Sequence, residues 1–180
     1  MTVDPNTRTT PWMYGYAPDY NYEGEYLIEY LVKDWWETKG MTRPIKIGVL
    51  SQPSSATTNA FWEGFDAGLA ANPGKCELTK VTAARSQTAF VSEVTALKDT
   101  DVIIITIPGT PGPLFMKEAL QRAYGGRFVS SSASLLGVWS LTKSLLTPQQ
   151  LDGLIVPHNW HIMQDDDPFT TSMVAALEKR

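Results

Sequence analysis

An α/β fold is what the sequence predicts: three layers, doubly wound, around a mostly parallel sheet of about five strands. Three observations predict it. From Ile45 onward, short apolar runs alternate with helical stretches of ten or more residues. Val102-Ile103-Ile104-Ile105 is continuous and β-branched, which suits a central parallel strand covered on both faces. Ile45, Ile47, Val49 and Leu50 form another such run, which stops at Ser51-Gln52-Pro53 and opens into Ser54-Ser55-Ala56-Thr57-Thr58 before a helix. A buried strand feeding a hydroxyl-rich helix start is where open α/β sheets hold their ligands.

Taken in order, Met1 to Thr10 reads as a loose arm and Pro11 to Ala17 as an aromatic extended segment. Asp19 is placed to cap a helix over Glu23 to Glu37, with Tyr26, Leu27, Tyr30, Leu31 and Trp35 on one face. After the Ile45 strand, a helix from about Thr58 to Ala71 carries Phe61, Phe65 and Leu69. Gly64 and Gly68 thin its face for close approach to the sheet. Glu77 to Thr82 alternates weakly as a second strand. Ser86 or Thr88 can cap a helix carrying Phe90, Val91, Val94 and Leu97, and Asp101 leads into the central strand. Pro113 suits the first position of the next helix, which ends near Tyr124-Gly125-Gly126. Arg127-Phe128-Val129 is a fourth strand followed by a serine loop, Ser130 to Ser134. Pro148 starts a brief helix, and Gly153-Leu154-Ile155-Val156 is a fifth strand. Asp167 and Pro168 open a last helix with Phe169, Met173, Val174 and Leu177 on one face. With no internal repeat and no low-complexity linker, the expectation is one domain.

Composition narrows the function. At 180 residues, 43% hydrophobic and 19% charged, the chain can build one sizeable core. Its net charge of -4 and the absence of a basic cluster disfavour nucleic acid and anionic membrane surfaces as partners. The single cysteine, Cys76, excludes an internal disulfide and reads as a small residue in or near a strand. No apolar run approaches the roughly 20 residues that span a bilayer, and Met1 to Thr10 lack the apolar centre of a signal peptide.

The segments that follow strands, Ser51–Thr58, Ala83–Thr88, Thr106–Gly112 and Ser130–Ser134, carry small hydroxyl residues and neither acid nor histidine. Hydroxyls and backbone N–H groups at helix starts suit neutral or anionic polar ligand groups. General acid–base catalysis wants His, Glu, Asp or Lys instead. Each serine or threonine taken alone reads first as a cap or turn former; their concentration on one edge makes a binding rim. His158 and His161, near Asp165, Asp166 and Asp167, read as solvated loop residues rather than a metal site. No Gly-x-Ser-x-Gly, Gly-x-Gly-x-x-Gly or phosphate-loop lysine motif is present. Pro108-Gly109-Thr110-Pro111-Gly112 loses N–H donors to its prolines. Six tryptophans, Trp12, Trp35, Trp36, Trp62, Trp139 and Trp160, read as packing residues at element edges.

The order of these segments resembles the second lobe of the type I periplasmic solute-binding proteins, the branched-chain amino-acid and amide receptors of ABC transporters. Ala17-Pro18-Asp19 with Glu23-Gly24, Ile45 to Leu69, Ser86 to Leu97 with Asp101 to Ile105, Gly109 to Ala123, Leu151 to Val156 and Asp167-Pro168-Phe169 carry the resemblance. It implies a flexible arm at residues 1–10 and a single ligand-binding lobe over 11–180, excised from a two-lobed protein that closes on its ligand like a hinged trap. It implies a non-enzymatic receptor for a small polar solute such as an amino acid, amide or carboxylate. That receptor needs no cofactor, acts in the periplasm or outside the cell, and works with the missing first lobe and a transporter permease. Family contacts fall near Thr57, Thr110, Ser131 and Ser132, to which the hydroxyl rim adds Ser54 and Ser55. Where amino-acid receptors of the family often place an aromatic residue and a carboxylate, this chain has Thr57, Thr110 and serines, so a less basic ligand such as an amide or a carboxylate fits the hydroxyls as well. Two other readings stay open. One is a flavodoxin-like or nucleotide-binding redox domain using Ser54 to Asn59 for phosphate. The other is a sensory ligand-binding domain of a receptor.

Overall fold

The computed structural model describes residues 20–53 and 56–157. Helix α1 (Tyr20–Lys33) runs into one π-helical turn, Asp34–Thr38. There follow β1 (Ile45–Ser51), α2 (Ala56–Ala71), β2 (Cys76–Thr82), α3 (Val91–Leu97), β3 (Val102–Ile105), α4 (Pro111–Gln121) and β4 (Arg127–Ser130). Short helices α5 (Ser132–Leu135), α6 (Trp139–Leu145) and α7 (Pro148–Leu151) complete the described chain. The Met1–Thr10 arm, the Pro11–Ala17 segment, the Asp19 cap, Trp12, Trp160, both histidines, Asp165 to Asp167 and the last helix lie outside the described residues.

The four strands are parallel in the order β2-β1-β3-β4. Ile47 stands opposite Leu78 on one side and Val102 on the other, and Ile104 opposite Val129. The fifth strand is reduced to one parallel bridge, Val129 to Ile155, with Ile155 N–H donating to Phe128 O (3.1 Å) and Ser130 N–H to Ile155 O (2.8 Å). Gly153 turns at φ 74° just before it, and Pro157 supplies no N–H just after it, so few residues are left to extend the ladder.

Alternation along the strands sorts side chains to two cores. Ile45, Ile47, Val49, Val102, Ile104 and Val129 face α1 and α2, where Phe61 and Phe65 pack edge to face at 4.9 Å. Leu50, Ile103, Ile105 and Phe128 face α3 and α4, where Phe90 and Phe115 meet at 5.7 Å and 90°. All four residues of β3 are buried, as its β-branched run predicts. At the amino edge of the sheet, Asp101 accepts both guanidinium branches of Arg43 (2.7 and 2.6 Å) and the Lys46 N–H (2.8 Å), stapling β3 to the start of β1.

Several local expectations are corrected. The buried face of α1 is Leu27, Ile28, Leu31, Val32 and Trp35, while Tyr26 and Tyr30 are exposed with Tyr22 in a stripe four residues apart. Ile28 and Val32 take the core because they bury no hydroxyl. Gly64 and Gly68 serve α1, not the sheet: a Cβ at 64 would overlap the Asn21 carbonyl, and one at 68 would lie 2.8 Å from Ile28 Cβ. Neither Ser86 nor Thr88 caps α3. Its start falls at Phe90, whose N–H donates to the Glu118 carboxylate of α4 at 2.7 Å. Helix α4 begins at Pro111 rather than Pro113, and the serine loop is largely the turn of α5.

Candidate functional site

The carboxyl ends of β1, β3 and β4 form the edge at which hydroxyl residues gather. The ladder runs one residue past the strands, with Thr106 N–H to Leu50 O, Ser131 N–H to Ile105 O and Ala83 N–H to Ser51 O, each 2.9 Å. Several of these hydroxyls are buried and committed inward. Ser51 Oγ donates to Val81 O (3.3 Å), Thr106 Oγ1 to Leu50 O (3.1 Å) and Ser130 Oγ to Ser131 O (2.8 Å). Ser131 Oγ and Ser134 Oγ share a bond at 2.6 Å. Leu50 O thus accepts from both the N–H and the hydroxyl of Thr106, so these hydroxyls are used within the fold.

Of the residues marked by the sequence, Ser54 and Ser55 lie outside the described residues. Thr57 stands in the first turn of α2. Thr110 is exposed at the start of α4, and its side chain makes no capping bond. Ser131 is buried against Ser134. Ser132 opens α5 and donates both its N–H (2.6 Å) and its Oγ–H (2.7 Å) to Glu23. The fold therefore brings Thr57, Thr110, Ser131 and Ser132 to one sheet edge, each at or beside a helix start.

Glu23 is the residue that sequence reasoning missed. It reads as an acid in the first turn of α1, where the helix dipole favours it. In the fold it is only 5% exposed and bridges 109 positions to Ser132. Burial pushes its carboxyl above the ordinary range, and the two bonds from Ser132 pull the other way with less effect. The native state therefore holds this proton more tightly than the unfolded chain. Stability from this group is full below the ordinary value of 4.5 and is lost as pH rises through the raised value. Asp101 behaves oppositely: burial raises it, but Arg43 and the Lys46 N–H bring it below 3.8, so its contribution is lost as pH falls through that lowered value. Glu23→Gln keeps an acceptor for the Ser132 N–H and removes the buried charge. Urea unfolding from pH 4 to 7 should show the variant gaining on the wild type as pH rises. A pH-independent difference between the two would refute this assignment.

Cys76, half-buried on β2, has its thiol pushed up to about 11 by burial, which suits packing and not nucleophilic work. Beyond the edge, a groove of about 500 Å³ is lined by Thr88, Lys117, Glu118 and Arg122 among others. There Glu118 is already paired with Phe90 N–H and Arg122. Among the described residues no group of three or more His, Cys, Asp or Glu could hold a metal ion, and no helix is long and apolar enough to cross a membrane.

No family model matches the sequence, and no curated protein matches it. Solved structures do match. A possible leucine/isoleucine/valine-binding protein from Rhodopirellula baltica SH 1 superposes with TM-score 0.70 at 17% identity, over 92% of this chain and 43% of its own. A fatty acid ABC transporter substrate-binding protein from Thermomonospora curvata gives 0.66 at 15%, over 91% and 40%. A solute-binding protein of an ABC transporter from R. palustris, in complex with benzoate, gives 0.60 at 18%, over 89% and 39%. The chain thus spans less than half the length of each of these solved chains. At these identities the likeness concerns architecture. The chain has the α/β fold of one lobe of the type I periplasmic binding proteins.

Proposed function

We propose that this chain is one solute-binding lobe of an extracytoplasmic receptor serving an ABC transporter. The observation that carries the reading is the lobe-sized match itself: 87–97% of the chain is covered by less than half of each of several substrate-binding proteins. The sheet edge supports it. Thr57, Thr110 and Ser132 stand at helix starts on the side where α/β sheets take ligands, with Ser54 and Ser55 assigned to the same rim by sequence.

The solute is a small polar molecule, an amino acid or a related amide or carboxylate, gripped between this lobe and a second one. Residues 11–180 then form the lobe and 1–10 an arm. The protein acts in the periplasm or outside the cell, delivers its solute to a permease, and performs no chemistry on it. Hydroxyls and backbone amides bind without transferring protons, which fits a receptor better than an enzyme.

Calorimetric titration of the protein carrying this chain with a panel of amino acids, amides and small carboxylates tests the reading. Saturable binding of one class, with the solute recovered unchanged, is the expected result. Turnover of a bound compound, or no binding across the panel, would sink it.

A further inference from the structure

Thr58 is 2% exposed, and its Oγ1 is buried with no hydrogen-bond partner among the described residues. A buried hydroxyl left unpaired is costly, and native folds keep such a group only where something else uses it. Its position says what that is. Thr58 lies in the first turn of α2, whose leading N–H groups have no carbonyl within the helix to bond. Side chains on a helix lean toward its amino end, the end at which those donors lie. At 16 residues α2 is long enough to present a developed dipole there, positive toward the sheet edge.

The neighbouring helix starts are poorer in donors. In α4, Pro111 and Pro113 supply no N–H, and Leu114 N–H is already directed to Thr110 O. In α5 the leading N–H is taken by Glu23. Helix α2 by contrast opens with Ala56, Thr57 and Thr58, each of which carries an N–H.

We propose that the first turn of α2, with the Thr58 hydroxyl, is the subsite that receives a carboxylate group of the solute. This deepens the solute-binding reading and rests on it. The charge is met by neutral donors and the helix dipole, not by a cation. An ammonium group would face the positive end of the helix dipole in that turn, and an amide carbonyl carries less charge for the dipole to hold.

Three probes of equal length test it: butyrate, butyramide and butylammonium, titrated into the full chain and followed through the backbone amide signals of 56–58. Butyrate should shift those signals and bind about tenfold more tightly than butyramide, with butylammonium inert there. Thr58→Val, equal in shape, should weaken butyrate about tenfold while raising Tm by about 2–4 °C, because it deletes an unpaired hydroxyl. Thr58→Ser should retain butyrate binding. A hydroxyl that serves only packing cannot give opposite signs for stability and binding. Preference for butyramide or butylammonium, or butyrate binding untouched by Thr58→Val, overturns the subsite and leaves the receptor reading standing. Failure of all three probes to shift 56–58 also overturns the subsite, while the receptor reading falls only if the wider panel of amino acids, amides and carboxylates fails as well.

Discussion

Gly64→Val is expected to cost about 3 kcal/mol, a large share of a typical total of about 5–15. Most overpacked sites relax by rotating a side chain away. At Gly64 the obstacle is the Asn21 carbonyl and the backbone around it, which has no rotamer to change. Helix α1 would have to move off α2 along the seam where Gly24, Gly64 and Gly68 let the two helices touch: a Cβ at Gly24 would sit 2.5 Å from Phe61 O. The displacement would also pull Glu23 from Ser132 and so disturb the rim. Gly137→Ala is the control, since a Cβ there meets nothing within 4 Å and should change stability by less than about 0.5 kcal/mol. Urea unfolding of both variants decides. Equal, small losses would mean that the α1–α2 seam yields easily.

Phe115→Ala is expected to cost about 3–5 kcal/mol, the range for deleting a fully buried aromatic ring. Phe115 is 0% exposed and stands at the centre of the core beneath α3 and α4, edge to face with Phe90. Its loss opens a cavity beside Phe90 in a core built jointly from α3, β3 and α4, so no single movement can fill it. Exposed Val91, one residue along from Phe90, should tolerate alanine with little change. A loss below about 1.5 kcal/mol for Phe115→Ala would show that this core collapses around the void.

The parts of the fold legible in the sequence are those governed by local pattern. The β-branched runs at Ile45 and Val102 became β1 and β3 because burial on both faces leaves no other use for them. Thr147-Pro148-Gln149-Gln150 carries its helix start openly: Thr147 Oγ1 accepts Gln150 N–H, and the Gln150 side chain accepts Thr147 N–H. What could not be read depends on partners far along the chain. The rotation of α1 by one position, which put Ile28 in and Tyr26 out, follows from packing on α2. The start of α3 is set by Glu118, 28 residues later. The glycines of α2 do announce a close approach, but spacing alone does not say whether a sheet or a helix approaches.

The site was legible as a zone and less so as residues. The strand ends followed by serines and threonines lie together at the carboxyl edge of the sheet. Ser131, however, is sealed against Ser134, and Ser132 is tied to Glu23, an acid whose neighbours in sequence give no hint of a partner 109 residues away. Thr58 stood inside the hydroxyl stretch, and nothing in the sequence marks it as the buried one.

If solute binds at the carboxyl edge of this sheet, amide signals mapped on the protein saturated with its tightest solute should change most at 56–58, 106–110 and 130–134, the residues that follow β1, β3 and β4. Changes concentrated instead at the amino edge, around Lys46, Asp101 and Arg127, would contradict it.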